Sequence, residues 1–286
     1  MMSFKIPYLT RTIMLVILSI FISLMLAGLY FYEQIDTKIL NVLFPVFSYS
    51  STIYLIKRKA SNNDIKLEAI LGSFTFKSTP WLKLGVITLL ILLFGYVAVL
   101  TVIGVGFGMD PTFFYEFLLT PSTTENGPFI YKLLNFFVTV FLAPVAEELY
   151  FRGYLINRLG TKRNLVSAVM ISSLLFSLLH IESFFLPQFF SGMIYGLLYI
   201  KTQKLVFPMI IHSFHNFLAG LPLLLSETEV QISQLPSLQT IENVFQIGSI
   251  LFVIMLPIMS WLLYRELKKI ESCPPYYLNE QLFSTR

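Results

Sequence analysis

Eight long apolar runs leave few folds open to this chain. They are Thr12–Tyr32, Ile39–Ile56, Leu84–Phe107, Leu133–Leu155, Leu165–Ile181, Phe184–Ile200, Leu205–Leu225 and Val244–Tyr264. A helix needs about 20 apolar residues to cross a bilayer, where the backbone must satisfy its own hydrogen bonds. The composition, 56% hydrophobic and 13% charged with a mean hydropathy of +0.74, excludes an ordinary soluble domain. The sequence therefore predicts an all-α, polytopic transmembrane helix bundle with about eight spans.

The distribution of Lys and Arg predicts the orientation of the bundle. With eight spans, only Lys38 and Lys132 of the 20 basic residues lie on the side opposite the termini. Basic residues are retained on the cytoplasmic side of a membrane. The protein is therefore expected in the plasma membrane, with both termini in the cytoplasm. The fifth and sixth runs are short and are joined only by Glu182 and Ser183. A merged or strongly tilted pair, giving one span fewer, is therefore the alternative.

No linker or fixed repeat divides the chain, so a single membrane domain is expected. Within it we distinguish N-terminal helices and an inner loop over 1–132, a core over 133–225, and a last helix with a cytoplasmic tail over 226–286. The first run lacks a small-x-small cleavage site and is expected to stay as an anchor. The lone cysteine, Cys273, excludes an internal disulfide. The net charge of +4 suits anionic membrane lipid, and nucleic acid is not an expected partner.

Three local signals indicate where helices pack, bend or leave the bundle. Gly192 and Gly196 form a small-xxx-small pair, a spacing that lets two helices approach closely, and we interpret them as packing residues. Pro144 breaks the backbone hydrogen bonding of the fourth run and indicates a cavity there. In the inner loop, Asp64–Leu71 predicts a short interfacial helix that could gate access to the bundle.

Charged side chains inside the fourth run are the first candidates for chemistry, because placing charge in hydrocarbon is costly. Glu147 and Glu148 stand side by side there, and Arg152 follows. Glu148 and Arg152 are four residues apart, so they share a helix face and can form an ion pair. Glu147 is turned about 100° away from that face. It is left to act as a general base.

Every histidine of the chain also lies in an apolar run. His180 follows Phe176 by four residues, so the phenyl ring can support the imidazole. His212 and Asn216 have the same spacing, and such a pair can orient a water and a carbonyl or donate to an oxyanion. It can equally serve as hydrogen-bonding contact between helices. His215 points to another face, and we assign it no role.

Glu147, His180 and His212 are expected to converge in one cavity. The rise of a straight helix puts His180 and His212 at different depths, so convergence requires a tilted fifth helix or one that begins below the interface. Two histidines and a glutamate could together bind a divalent metal such as zinc with an open position for water. No His-Glu-x-x-His helix is present, however. We favour water activation without an obligatory metal.

The three motifs form a series between Leu133 and Leu225. Glu-Glu-x-x-x-Arg, Phe-x-x-x-His and His-x-x-x-Asn follow one another on successive apolar runs. This series resembles the signatures of the CAAX prenyl protease and bacteriocin-processing (CPBP, Abi) family of intramembrane endopeptidases. The resemblance implies a protease core over 133–225, with a polar catalytic cavity that we expect to open to the cytoplasm. It also implies that Glu148 and Arg152 support the site.

The resemblance further implies the roles of the remaining motif residues. Glu147 would activate the hydrolytic water together with His180, and His212 with Asn216 would stabilise the oxyanion. The family has been described both as a metalloprotease and as a metal-independent glutamate protease, so residue types leave the metal question open. The metal ligands, if there is one, would be Glu147, His180 and His212.

The leading hypothesis is an intramembrane endopeptidase that cleaves a membrane-associated protein or peptide. By resemblance, its processes would be peptide maturation, bacteriocin immunity or surface-protein regulation. The richness in Ile, Phe, Lys and Asn is typical of bacterial proteins from AT-rich genomes, which disfavours a prenylated substrate. Two other classes remain open: a proton-coupled transporter, which would use the same Glu and His residues as a relay, and a non-catalytic membrane regulator.

Overall fold

The computed structural model describes residues 37–62, 65–72, 81–109, 128–180, 184–225, 238–270 and 273–284. Within these ranges every regular element is helical. The helices are α1 Thr37–Ser61, α2 Leu67–Leu71, α3 Trp81–Met109, α4 Phe129–Gly160, α5 Leu165–Leu178, α6 Phe185–Thr202, α7 Val206–Leu225, α8 Leu238–Leu267 and α9 Pro275–Ser284. The first apolar run, the Glu182–Ser183 junction, residues 110–127 and residues 226–237 lie outside the described residues.

The helices are those of a membrane protein. Each apolar run that falls within the described ranges forms a helix. Four of the described helices are long and apolar enough to cross a membrane, namely α3, α4, α7 and α8. The shorter α5 is also apolar. The all-helical membrane architecture is therefore confirmed, while the number of spans stays a prediction.

One end of the bundle carries the connections from α1 to α2, α4 to α5, α6 to α7 and α8 to α9. We call it the basic end, since the last turn of α1 and these segments contain Arg58, Lys59, Lys162, Arg163, Lys204, Lys268 and Lys269. The short helix α2 and the last helix α9 pack against each other there. Ile70 of α2 and Tyr276 of α9 are buried with Leu149, Tyr154 and Leu205. The predicted helix of the inner loop thus exists, but it is packed into the bundle.

Buried amides connect the helices at the basic end. The Asn279 side chain donates to the carbonyls of Ala69, at 2.9 Å, and Gln203, at 2.7 Å. Asn157 accepts a hydrogen bond from the Tyr276 amide at 2.9 Å. A buried polar group is costly unless it is paired, so these bonds restrict α2 and α9 to one arrangement.

The glycine pair of α6 lies at its contact with α5. A Cβ atom at Gly192 would come within 3.1 Å of the Ser173 Cα, and one at Gly196 within 3.1 Å of a Val169 methyl group. Such distances leave no room for a larger side chain. The interpretation of Gly192 and Gly196 as packing residues is therefore confirmed.

Candidate active site

Helix α4 is wider than an ordinary α-helix on both sides of the glutamate pair. Residues Val138–Leu142 and Leu149–Ile156 are π-helical. In the first of these stretches the Ala143 amide bonds to the carbonyl of Val138, five residues back. In the same register the Thr139 carbonyl would meet residue 144, which is a proline and has no N–H. Pro144 therefore leaves the Thr139 carbonyl available to a side chain.

That side chain is Asn216 of α7. Its Nδ2 atom donates to the Thr139 carbonyl at 2.8 Å. An amide carries two hydrogens on this nitrogen, so one of them is used and the other can serve a ligand. The π-helical turn and Pro144 together thus create the acceptor that orients Asn216.

Glu148 and Arg152 form the ion pair that their spacing predicts. Nη1 of Arg152 lies 2.9 Å from Oε1 of Glu148, and both side chains are completely buried. Nη2 of Arg152 donates to the Gly192 carbonyl at 3.2 Å. The guanidinium also lies over the rings of Phe176 and Tyr195, 4.6 and 5.3 Å from their centroids. These contacts compensate a buried cation with charge, a hydrogen bond and two aromatic faces.

The same glutamate oxygen orients His212. Nδ1 of His212 lies 2.9 Å from Oε1 of Glu148. An ionised carboxylate can only accept, so Nδ1 carries the hydrogen and Nε2 is turned toward Glu147. Nε2 is 3.8 Å from Oε2 of Glu147. The ring stacks on Tyr195 with centroids 5.0 Å apart and planes at 22°. His212 is therefore fixed in both tautomer and orientation.

His180 is oriented by a different acceptor. It lies in the turn that follows α5, and its Nδ1 is 2.8 Å from the Phe176 carbonyl. A carbonyl also only accepts, so Nδ1 of His180 carries a hydrogen. Its Nε2 faces Oε1 of Glu147 at 3.7 Å. The Phe176 ring packs against the imidazole with centroids 4.4 Å apart, as the four-residue spacing predicts.

The carboxylate of Glu147 thus lies between the Nε2 atoms of two histidines. Distances of 3.7 and 3.8 Å exceed those of direct hydrogen bonds and are within reach of one bridging water. The expected convergence of the three side chains is present. Leu205, just before α7, is fully buried and its amide bonds to the Leu71 carbonyl, so α7 begins among packed residues. The roles of the three residues stay predictions.

Two tyrosines contact this cluster without having been singled out in the sequence. Tyr49 of α1 donates a hydrogen bond from its hydroxyl to Oε1 of Glu147 at 3.0 Å. Tyr195 of α6 stacks on His212, and its hydroxyl lies 2.9 Å from Nδ1 of His215. The polar stretch Ser48–Thr52, inside an otherwise apolar run, is the signal that could have pointed to Tyr49. Nothing in the sequence distinguishes Tyr195 from a packing residue.

The fit of a metal can be tested on the donor atoms. Among the residues that the structure describes, no group of three or more His, Cys, Asp and Glu side chains is arranged to hold a metal ion. The possible ligands Glu147, His180 and His212 face one another in pairs at the distances given above.

Comparison with known proteins shows what the segment around this site is similar to. Residues 129–218 match the family described as type II CAAX prenyl endopeptidase Rce1-like. Over 193 residues, the chain is 28% identical to the membrane-embedded CAAX protease MroQ of Staphylococcus aureus (strain USA300), covering 64% of this chain and 73% of that protein. It is 30% identical to an uncharacterized protein of Mycoplasma capricolum subsp. capricolum over 110 residues, 36% of this chain and 32% of the other. No solved structure matches the chain.

The matched segment contains the glutamate pair, both motif histidines and Asn216, which lie on α4, in the turn after α5 and on α7. The motifs, the family match and the staphylococcal relative thus point to the same family. Residues 129–218 therefore resemble the CAAX prenyl protease and bacteriocin-processing family.

Proposed function

We propose that the protein is an intramembrane endopeptidase that hydrolyses a peptide bond of a membrane-associated protein or peptide. The observation that carries the proposal is the buried carboxylate of Glu147, which faces two oriented imidazoles inside the bundle. Ionisable groups inside a membrane bundle are expensive to bury and are typical of functional sites. The similarity of residues 129–218 to CAAX endopeptidases supports the peptidase class.

The first step is activation of water by Glu147 and His180. Nδ1 of His180 is committed to the Phe176 carbonyl, so the neutral ring presents an electron pair at Nε2. The Glu147 carboxylate presents electron pairs as well. A water between them can donate both hydrogens and direct its own electron pair at the substrate carbonyl. As the water oxygen attacks the carbonyl carbon, one water proton passes to Glu147 or His180. That residue later gives the proton to the leaving amine.

The second element is stabilisation of the oxyanion by His212 and Asn216. Because the Nδ1 hydrogen of His212 is donated to Glu148, Nε2 can donate only when the ring is an imidazolium. Glu148 and Glu147 lie beside the two nitrogen atoms of the ring. Asn216 contributes the amide hydrogen that the Thr139 carbonyl does not use. Fixed donors of this kind stabilise developing negative charge.

We further propose that this chemistry needs no obligatory metal. A strong chelator such as EDTA is then expected to leave the cleavage rate unchanged, since a carboxylate base loses nothing to it. Loss of cleavage with the chelator, and its recovery on adding zinc, would show instead that Glu147, His180 and His212 bind a metal.

The proposal includes how the chain lies in the membrane. We propose eight spans in a bacterial plasma membrane, with the basic end and both termini in the cytoplasm and the cavity open to that side. The chain would form one membrane domain with its protease core over 133–225, embedded in lipid and without a nucleic-acid partner. Peptide maturation, bacteriocin immunity and surface-protein regulation are the processes that such a peptidase would serve.

The deciding experiment uses the purified full chain in lipid vesicles with a panel of membrane-anchored peptides. Wild-type protein is expected to cleave, and Glu147→Gln is expected to lose at least about 100-fold in rate, because the general base is gone. Glu242→Gln, at an exposed glutamate of α8, is the matched control and should cleave normally. Cleavage by Glu147→Gln at the wild-type rate would refute the mechanism.

The same preparation addresses the two other classes of function. A proton-coupled transporter would acidify the vesicle lumen in a Glu147-dependent way and leave every peptide intact. A non-catalytic regulator would do neither. Mass spectrometry of the peptides and a pH-sensitive dye inside the vesicles distinguish these outcomes.

A further inference from the structure

Helix α1 contributes a direct contact to the catalytic carboxylate, although it lies outside the matched segment 129–218. The hydroxyl of Tyr49 donates to Oε1 of Glu147 at 3.0 Å. This is the same oxygen that faces His180. Tyr49 is part of the polar stretch Ser48–Thr52 and is half-buried where α1 packs against α4.

The contact explains a feature of the cluster that the histidines alone do not. Glu147 lies 3.7 Å from His180 and 3.8 Å from His212, so it makes a direct hydrogen bond to neither. With their hydrogens on Nδ1, the neutral rings present electron pairs at Nε2, so neither can donate to the carboxylate. A buried carboxylate without a donor is costly. The Tyr49 hydroxyl supplies that donor from a third direction and so anchors the carboxylate at this distance.

We infer that Tyr49 is a positioning residue for Glu147 that holds the carboxylate away from both histidines and keeps open the gap in which water is activated. The inference rests on the proposed peptidase function. The groups facing the carboxylate are then Tyr49 from α1, His180 after α5 and His212 from α7. Each comes from a different part of the fold.

The test is Tyr49→Phe in the full chain, with kcat and KM measured in lipid vesicles. The variant keeps the ring and removes only the hydroxyl. We expect kcat to fall about tenfold while KM changes less than about twofold, because the lost contact acts on the base and not on the substrate.

The control is Tyr54→Phe, on the same helix at a side chain that is 59% exposed. It should match the wild type in kcat and KM. Should Tyr49→Phe fail to fold, two unnatural residues at position 49 replace it. 3-Fluorotyrosine keeps the hydroxyl and should retain the wild-type kcat, whereas 4-fluorophenylalanine is similar in size, cannot donate and should show the tenfold loss.

The outcomes separate the two proposals. If the wild type cleaves and the position-49 variants without a hydroxyl keep its kcat, Tyr49 only contributes packing between α1 and α4, and the inference is wrong. If these variants lose kcat while KM stays nearly unchanged, it is supported. A wild type that cleaves no peptide at all would count against the peptidase function itself.

Discussion

At the scale of single residues, Glu148 is the junction of the buried polar network. Its Oε1 atom pairs with Arg152 and with His212, each at 2.9 Å. Its other oxygen, Oε2, has no hydrogen-bond partner among the described residues. One atom therefore neutralises the guanidinium and also fixes the tautomer of the histidine beside the site. The two functions cannot be lost separately.

Replacing Glu148 with alanine should destabilise the protein by about 3 kcal/mol, because it leaves Arg152 as a buried cation without its carboxylate. The free energy of unfolding of the purified protein in detergent micelles is the measurement. Glu242→Ala, at an exposed position, is the matched control and should change stability by less than about 0.5 kcal/mol. Equal stability of the two variants would contradict the structural role given to Glu148.

At the scale of elements, the π-helical turn of α4 provides a hydrogen-bonding contact for another helix. The π-helical residues Val138–Leu142 and Pro144 remove main-chain donors from the Thr139 carbonyl, and Asn216 uses that acceptor. Wide turns of this kind are rare in helices and frequently occur at functional sites. Here the irregularity links α4 to α7 through a hydrogen bond that a regular helix could not offer.

Pro144→Ala tests this link. The new amide N–H can pair within α4 and compete with Asn216, whose amide would then lose its fixed orientation. We expect about a tenfold loss of kcat, in line with the cost of a misplaced oxyanion donor. Pro257→Ala, at a proline inside α8, is the control and should retain full cleavage. An unchanged kcat for Pro144→Ala would show that Asn216 is oriented by other contacts.

At the scale of the whole molecule, the sequence predicts contacts between residues one turn apart on the same helix. It does not predict contacts between residues of different helices. The Glu148–Arg152 pair and the Phe176–His180 contact follow from a four-residue spacing, which helix geometry makes reliable. Tyr49 is 98 residues from its partner Glu147. Only the packing of α1 on α4 brings them together, and no periodicity in either helix specifies that contact.

The burial of the inner loop could not be predicted for the same reason. Residues 67–71 read as a short amphipathic segment, for which an exposed position at the interface was the natural expectation. Its partners, Leu205 and Tyr276, lie far along the chain. Leu205 immediately precedes α7, so this packing also fixes where α7 begins. His212 lies on that helix.

Orientation in the membrane can be read from Cys273, the only cysteine of the chain, which lies half-buried just before α9 at the basic end. A membrane-impermeant maleimide should fail to label it in intact cells and should label it after permeabilisation, because basic segments stay on the cytoplasmic side. Gln239→Cys in a Cys273→Ser background, at the opposite end of α8, should react in intact cells. Labelling of Cys273 from outside would invert the proposed topology.

The side chain of Asn279 bridges backbone positions that were synthesised long before it, at Ala69 and Gln203. Those two carbonyls acquire their amide partner only after α8 has left the ribosome and entered the bilayer. A nascent chain halted at residue 267 would already contain Glu147, His180 and His212 but would lack these two hydrogen bonds. The packing of α2 against α9 is thereby completed only after the last long helix has been made.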